Sequence, residues 1–342
     1  MQRWETAALF LLCTAILPGC GQREEPYLYI YCNETFWYVM QEEALFFNRI
    51  YNFQIVLVPI RAERTSGKSD DTVTVGTDRH APAPWRQIDV NQRSDDPFAQ
   101  INSDVVEQLE RISTESFGDM FLSDSQRHVE KLRKIAVSAS EYAICYLTLT
   151  MLVPEGNPNQ LHSVKEVLDS NRLLGIVDPS LDGLGESSWQ MLGKIVPGGE
   201  SAIPMDIVRL YERQYDLLEA LEQGKIDAAL VWNATSQTNY LMVKYADQYN
   251  AMYEQEMRIV ERKKKREQLR LMLRAICEQI IEEHRFAEEV PLKQNPNERY
   301  IVSIRLVSLG SATDQGYCVR FADFMRSKQG KEVLQRFGFV TE

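Results

Sequence analysis

Histidine is scarce in this chain, with four in 342 residues, at His80, His128, His162 and His284. No two of them have the close spacing of a metal site, and no G-x-S-x-G elbow supplies a nucleophile for a histidine base. Positive charge is also short. Lys and Arg number 38 against 49 Asp and Glu, a formal net charge of -11, which argues against a nucleic-acid partner because phosphate binding needs a basic face. C-x-x-C spacing is absent, which argues against structural zinc. Beyond the amino-terminal segment no apolar run is long enough to span a bilayer. Gly67-Lys68-Ser69 looks like the end of a phosphate loop, but the position that requires glycine is Ala62 and no strand directly precedes it. With no catalytic set, the chain reads as a non-enzyme without metal or cofactor.

The amino terminus carries Arg3, an apolar run over 7–17 and then Leu17-Pro18-Gly19-Cys20. The run is too short for a mature spanning helix and suits the core of a secretory signal. It resembles a bacterial lipoprotein signal, in which cleavage before Cys20 exposes a thiol for diacylation. The expectation is a signal peptide over 1–19, a lipidated tether over 20–26, and a globule held at the outer face of a bacterial membrane by its lipid alone. The other reading is an ordinary signal peptide in which Cys20 is incidental. Setting aside the leader and Cys20 leaves Cys32, Cys145, Cys277 and Cys318. They read either as disulfides of an oxidising compartment or as buried thiols.

Periodicity organises the remainder as α/β. Residues 27–31 read as a strand, 35–50 as a helix with Thr35 at its N-cap, and 53–60 as a buried strand. Strand, helix, strand implies a parallel pair with a crossover. Residues 61–100 are polar and aperiodic and read as a mobile surface insertion. A helix follows Asn102 and Ser103, then a strand over 118–123 and a helix over 124–134. A long apolar strand over 142–153 suits a crossover between two lobes. Next come a helix over 161–170, a strand over 173–177, a Gly-bearing loop with Gly183 and Gly185, and a helix from Ser187. A helix over 207–223 and a strand over 228–232 follow. Residues 243–299 read as a helical insertion, with Leu269, Met272, Leu273, Ile276 and Ile280 at helical spacing. A strand over 299–309 and helices to the end close the chain.

Six pieces in order resemble the type II periplasmic substrate-binding proteins, and among them the molybdate-binding branch of ABC transporters. They are 30–36 (Ile-Tyr-Cys-Asn-Glu-Thr-Phe), 118–123 (Gly-Asp-Met-Phe-Leu-Ser), 153–158 (Val-Pro-Glu-Gly-Asn-Pro), 175–179 (Gly-Ile-Val-Asp-Pro), 225–232 (Lys-Ile-Asp-Ala-Ala-Leu-Val-Trp) and 321–327 continued to Phe337-Gly338-Phe339. The resemblance implies a two-lobed fold with parallel-rich sheets and a hinge of crossover strands. Lobe I would hold 27–145 and 300–342, and lobe II 146–242. It further implies a lipid-anchored receptor of an ABC importer, closing its lobes on a tetrahedral oxyanion such as molybdate or tungstate, with an ABC permease and ATPase as partners.

Carried over by residue, the resemblance makes Thr35 the first hydroxyl ligand and Asn102 or Ser103 the second. The loop at Asp182 and Gly183 offers amides, and Trp232 stands where the family has a tyrosine. Strand ends and helix N-termini suit such a guest, because their unpaired N–H groups converge on one point. Thr35 and Ser103 also read as plain N-caps, and Trp232 as core packing. Glu34 and Asp182 depart from the family by placing carboxylates near a dianion, a repulsion of about 4 kcal/mol for a 4 Å pair at an effective dielectric of 20. The alternative from another class is an interaction lipoprotein that keeps the fold without transport and docks a partner through the helical insertion.

Overall fold

The computed structural model describes residues 27–51, 54–59, 118–134, 138–233, 278–292, 301–310 and 314–341, with scattered positions between 238 and 276 and residue 312. The insertion over 61–100, Cys20 and Cys277 lie outside the described residues. Strand β1 (Tyr27–Cys32) leads through a 3-10 turn at Glu34–Phe36 into helix α1 (Trp37–Tyr51) and back to β2 (Gln54–Pro59), parallel to β1. Strand β3 (Met120–Ser123) lies parallel to β1 on its other side. Gly118 at φ +86 introduces β3, and a Cβ there would strike the Tyr31 ring at 2.1 Å. The neighbouring Asp119 accepts the Tyr29 amide at 2.7 Å. The Gly-Asp pair is therefore a fitting between two strands.

Helix α2 (Gln126–Lys134) precedes the 17-residue strand β4 (Ser138–Pro154). At ~3.3 Å per residue β4 is long enough to belong to two half-sheets. Its first part, to Thr148, pairs antiparallel with β9 (Ile301–Leu309), which borders β3. Its last part pairs with β7 (Ala228–Trp232) and with β8 (Ala287–Val290). With β5 (Leu174–Val177) and β6 (Val208–Tyr211), the full order is β2-β1-β3-β9-β4-β7-β5-β6, and β8 lies on the tail of β4. The second half-sheet carries β5 and β6, among helices α3 (Val164–Asp169), α4 (Gly183–Ile195) and α5 (Gln214–Glu222). Helices α6 (Gln315–Arg326) and α7 (Lys328–Arg336) return to the first half. There Phe47 of α1 meets Phe321 edge-on, with centroids 5.2 Å apart.

Four expectations are corrected. The single helix over 207–223 is a strand and a helix. Val208–Tyr211 pairs parallel with β5, because its backbone groups find partners in the sheet that a helical start would forgo. The helix expected from Ser187 begins at Gly183, since Asp182 accepts the Gly185 amide at 2.7 Å and caps it there. The helix expected from Asp124 begins at Gln126, leaving Asp124 and Ser125 in the connection after β3. Within 243–299, Ala287–Val290 is sheet. Ile276 and Ile280 are buried as their spacing requires. Tyr240 ties the neighbouring segment to α5, its hydroxyl donating to Glu222 at 2.5 Å and its ring lying 4.9 Å from Tyr215. Cys32, Cys145 and Cys318 are buried free thiols.

Two carboxylates clamp the first half. Fully buried Glu42 on α1 meets Arg336 of α7, whose guanidinium burial pushes down to about 10. Removing one partner of a buried pair strands the other charge, so Arg336→Met should cost about 3–5 kcal/mol in urea unfolding, and adding Glu42→Gln should return most of it. Glu141 on β4 receives Arg133 of α2 at 2.6 Å and Arg305 of β9 at 2.9 Å, and these bonds hold its carboxyl down at about 2. A depressed folded pKa stabilises above the ordinary carboxylate value and loses its effect as pH falls toward 2. Both arginines are more than a third exposed, so Glu141→Gln should cost about 0.5–1 kcal/mol at pH 7, and most of that difference should be gone in unfolding at pH 2.

Candidate functional site

The carboxyl ends of the parallel strands gather at one place. Asn33 and Thr35 follow β1, Asp124 follows β3, Gly183 lies in the loop-to-helix turn after β5, Gln214 follows β6, and Trp232 ends β7. Strands finish there because the chain must turn into a helix, and those turns leave amides and short polar side chains free to face one another. The first three residues belong to the first half-sheet and the last three to the second, so this is the seam between the halves.

At its centre lies the carboxylate of Asp124. Asn33 donates from Nδ2 to Oδ1 at 2.6 Å. Thr35 donates from Oγ1 to Oδ2 at 3.1 Å, and Trp232 donates from Nε1 to the same oxygen at 2.7 Å. The Gly183 backbone adds a fourth bond at the start of α4, where the helix dipole favours an anion. Gln214 supports the set by donating from Nε2 to Thr35 Oγ1 at 2.7 Å, which leaves the Thr35 proton to Asp124. An indole, an amide NH2 and a peptide N–H can only donate. The set therefore suits an anion. Thr35 and Asp124 are 1% exposed and Trp232 is 0% exposed, so the centre of the cluster is buried. Burial pushes the Asp124 carboxyl above its ordinary value, and the four bonds oppose that push.

Close backbone contact seals the seam. A Cβ on Gly183 would fall 2.2 Å from the Asp124 carbonyl oxygen and 2.6 Å from the Ser125 amide nitrogen. Arg127 donates to the Pro179 carbonyl at 2.8 Å and lies 3.5 Å from Glu186 of α4. The Ser125 hydroxyl donates to Glu186 at 3.5 Å. Burial raises the Glu186 carboxyl, Arg127 works against this, and Asp124 adds to it.

Of the residues singled out from sequence, Thr35, Gly183 and Trp232 are brought together. Asp182 instead serves its own helix as a cap. Asn102 and Ser103 lie outside the described residues, as does the side chain of Glu34. Sequence reasoning missed Asn33, Asp124 and Gln214. The signal available was position, since each stands within two or three residues of a strand's carboxyl end. Among the described residues no group of His, Cys, Asp and Glu could hold a metal ion, and no helix is long and apolar enough to cross a membrane.

Residues 92–340 match the family model described as bacterial extracellular solute-binding protein. The chain belongs to that family. By that description its members are extracellular and bind solutes. The fold is similar to that of the periplasmic molybdate-binding protein of Azotobacter vinelandii, at 11% identity over 92% of this chain and 99% of that one, with a TM-score of 0.54. It is similar also to a periplasmic thiamin binding protein (11% identity, 94% and 84% covered, TM-score 0.57). A third is the sulfate-binding protein of Mycobacterium tuberculosis (10% identity, 92% and 86% covered, TM-score 0.56). No curated protein matches the sequence.

Trp232→Phe keeps the ring and removes one donor from a buried carboxylate. The expected cost is about 1.5–3 kcal/mol near neutral pH. Because the folded-state pKa of Asp124 is raised, its ionisation costs stability as pH climbs through that value, and the variant lifts the pKa further. The deficit should therefore shrink toward pH 3.5 in urea titrations.

Proposed function

We propose that this chain is the lipid-anchored receptor of an ABC importer, tethered through Cys20, which takes a compact solute between its halves and presents the closed form to a membrane permease and its ATPase. The observation that carries this reading is the convergence of Asn33, Thr35, Gly183 and Trp232, two from each half, on a single buried point. A guest there is held by both halves at once, so binding and closure are the same event. The donor-only chemistry suits a tetrahedral oxyanion such as molybdate, tungstate or sulfate. Each charge-assisted bond contributes about 1.5–3 kcal/mol. No covalent step is required, and the site offers no activated nucleophile.

The same cluster favours a second reading, because its donors are already engaged by Asp124. An envelope protein that keeps the fold and docks a partner without transporting would tolerate that carboxylate indefinitely.

A thermal-shift and calorimetric screen of molybdate, tungstate, sulfate, phosphate, small organic acids and thiamin separates the two. A solute at a hundred times its Kd should add about 2.7 kcal/mol of stability, and Thr35→Ala should weaken an oxyanion by about tenfold or more. Silence across the screen from both the folded parent and a folded Asp124→Ala variant supports the docking role.

A further inference from the structure

Four donors from two half-sheets meet at a place where a family member would hold a solute, and what they hold is part of the same chain. The Asp124 carboxylate is contributed by the loop after β3, in the first half. Two of its bonds come from that half, from Asn33 and Thr35. The other two come from across the seam, from the Trp232 indole and the Gly183 amide. Its backbone lies against Gly183 so closely that no side chain fits between them. We propose that Asp124 is a built-in anion: gripped from both sides, it closes the cleft without a solute and stands as a tethered competitor to any free oxyanion. The proposal rests on the reading of this cleft as a solute site.

The chemistry is that of occupancy. A carboxylate offers two oxygens and about four acceptor directions, and the donors here take up that capacity. A free oxyanion needs the same donors. It also meets the negative charge of Asp124 and, behind it, of Glu186, which Arg127 balances only in part at 3.5 Å. Entry requires the Asp124 side chain to leave. Because that side chain is tethered, it competes at a high effective concentration, and tethering of this kind changes apparent affinity by about 10²–10⁴. Asp124 thereby sets specificity, raising the threshold against weakly held anions while leaving the donors intact.

The variant Asp124→Ala isolates the claim. Small-angle scattering of solute-free protein should show a larger radius of gyration for the variant than for the parent. Molybdate or sulfate should then bind the variant about a hundredfold more tightly than the parent and return it to the compact form. If Asp124→Ala does not fold cooperatively, Asp124→Ser serves in its place, because its shorter side chain removes both carboxylate oxygens that Asn33, Thr35 and Trp232 reach. A solute-free variant as compact as the parent would overturn the proposal. So would a parent that binds the anion as tightly as the variant. A variant that opens yet binds none of the anions supports closure by Asp124 and removes the oxyanion as the solute class.

Discussion

The structure turns on a buried carboxylate and the hydrogen bonds that make its burial tolerable. An ionised group taken out of water costs several kcal/mol even after relaxation, and the cost is recovered only if its lone pairs are met. Asn33, Thr35, Gly183 and Trp232 meet those of Asp124. No one half-sheet contains all four. The requirement to satisfy one anion therefore becomes a requirement that the two halves stay together, and β4, which belongs to both, sets the distance over which they can do so.

This arrangement turns a general receptor fold into a particular one. Strand ends that supply donors at a seam will accept any compact anion of suitable size, and specificity must come from what is placed against the wrong guest. In the proposed receptor that opposing element is the covalently attached carboxylate of Asp124. The similar folds belong to proteins whose names include molybdate, sulfate and thiamin. Names so unlike on one fold mean that the fold by itself does not pick the solute.

Much of this was legible in the sequence. Alternation and apolar runs place β1, β2, β3, β5 and β7, and the resemblance to the periplasmic binding proteins points to Thr35, Gly183 and Trp232 without knowledge of their distances. What was not legible depended on partners remote in sequence. Asp124 looks like a helix-initiating aspartate, and nothing local says that an indole 108 positions on donates to it. Asp182 is the opposite case. It looks like a carboxylate intruding on a ligand, yet its oxygen is claimed by an amide three residues later. Val208–Tyr211 is only four residues long and leads straight toward α5, and pairing with β5 is what marks it as a strand.

The most direct test of the central claim is hydrogen exchange at the Trp232 indole N–H in solute-free protein, identified in the nitrogen–proton spectrum by its loss in a variant lacking that indole. If Asp124 holds the cleft shut, this proton is hydrogen-bonded and sealed from water, and it exchanges as slowly as the core amides of β7 with no solute present. Exchange at the rate of a solvent-exposed indole, slowed only when an anion is added, would contradict the account.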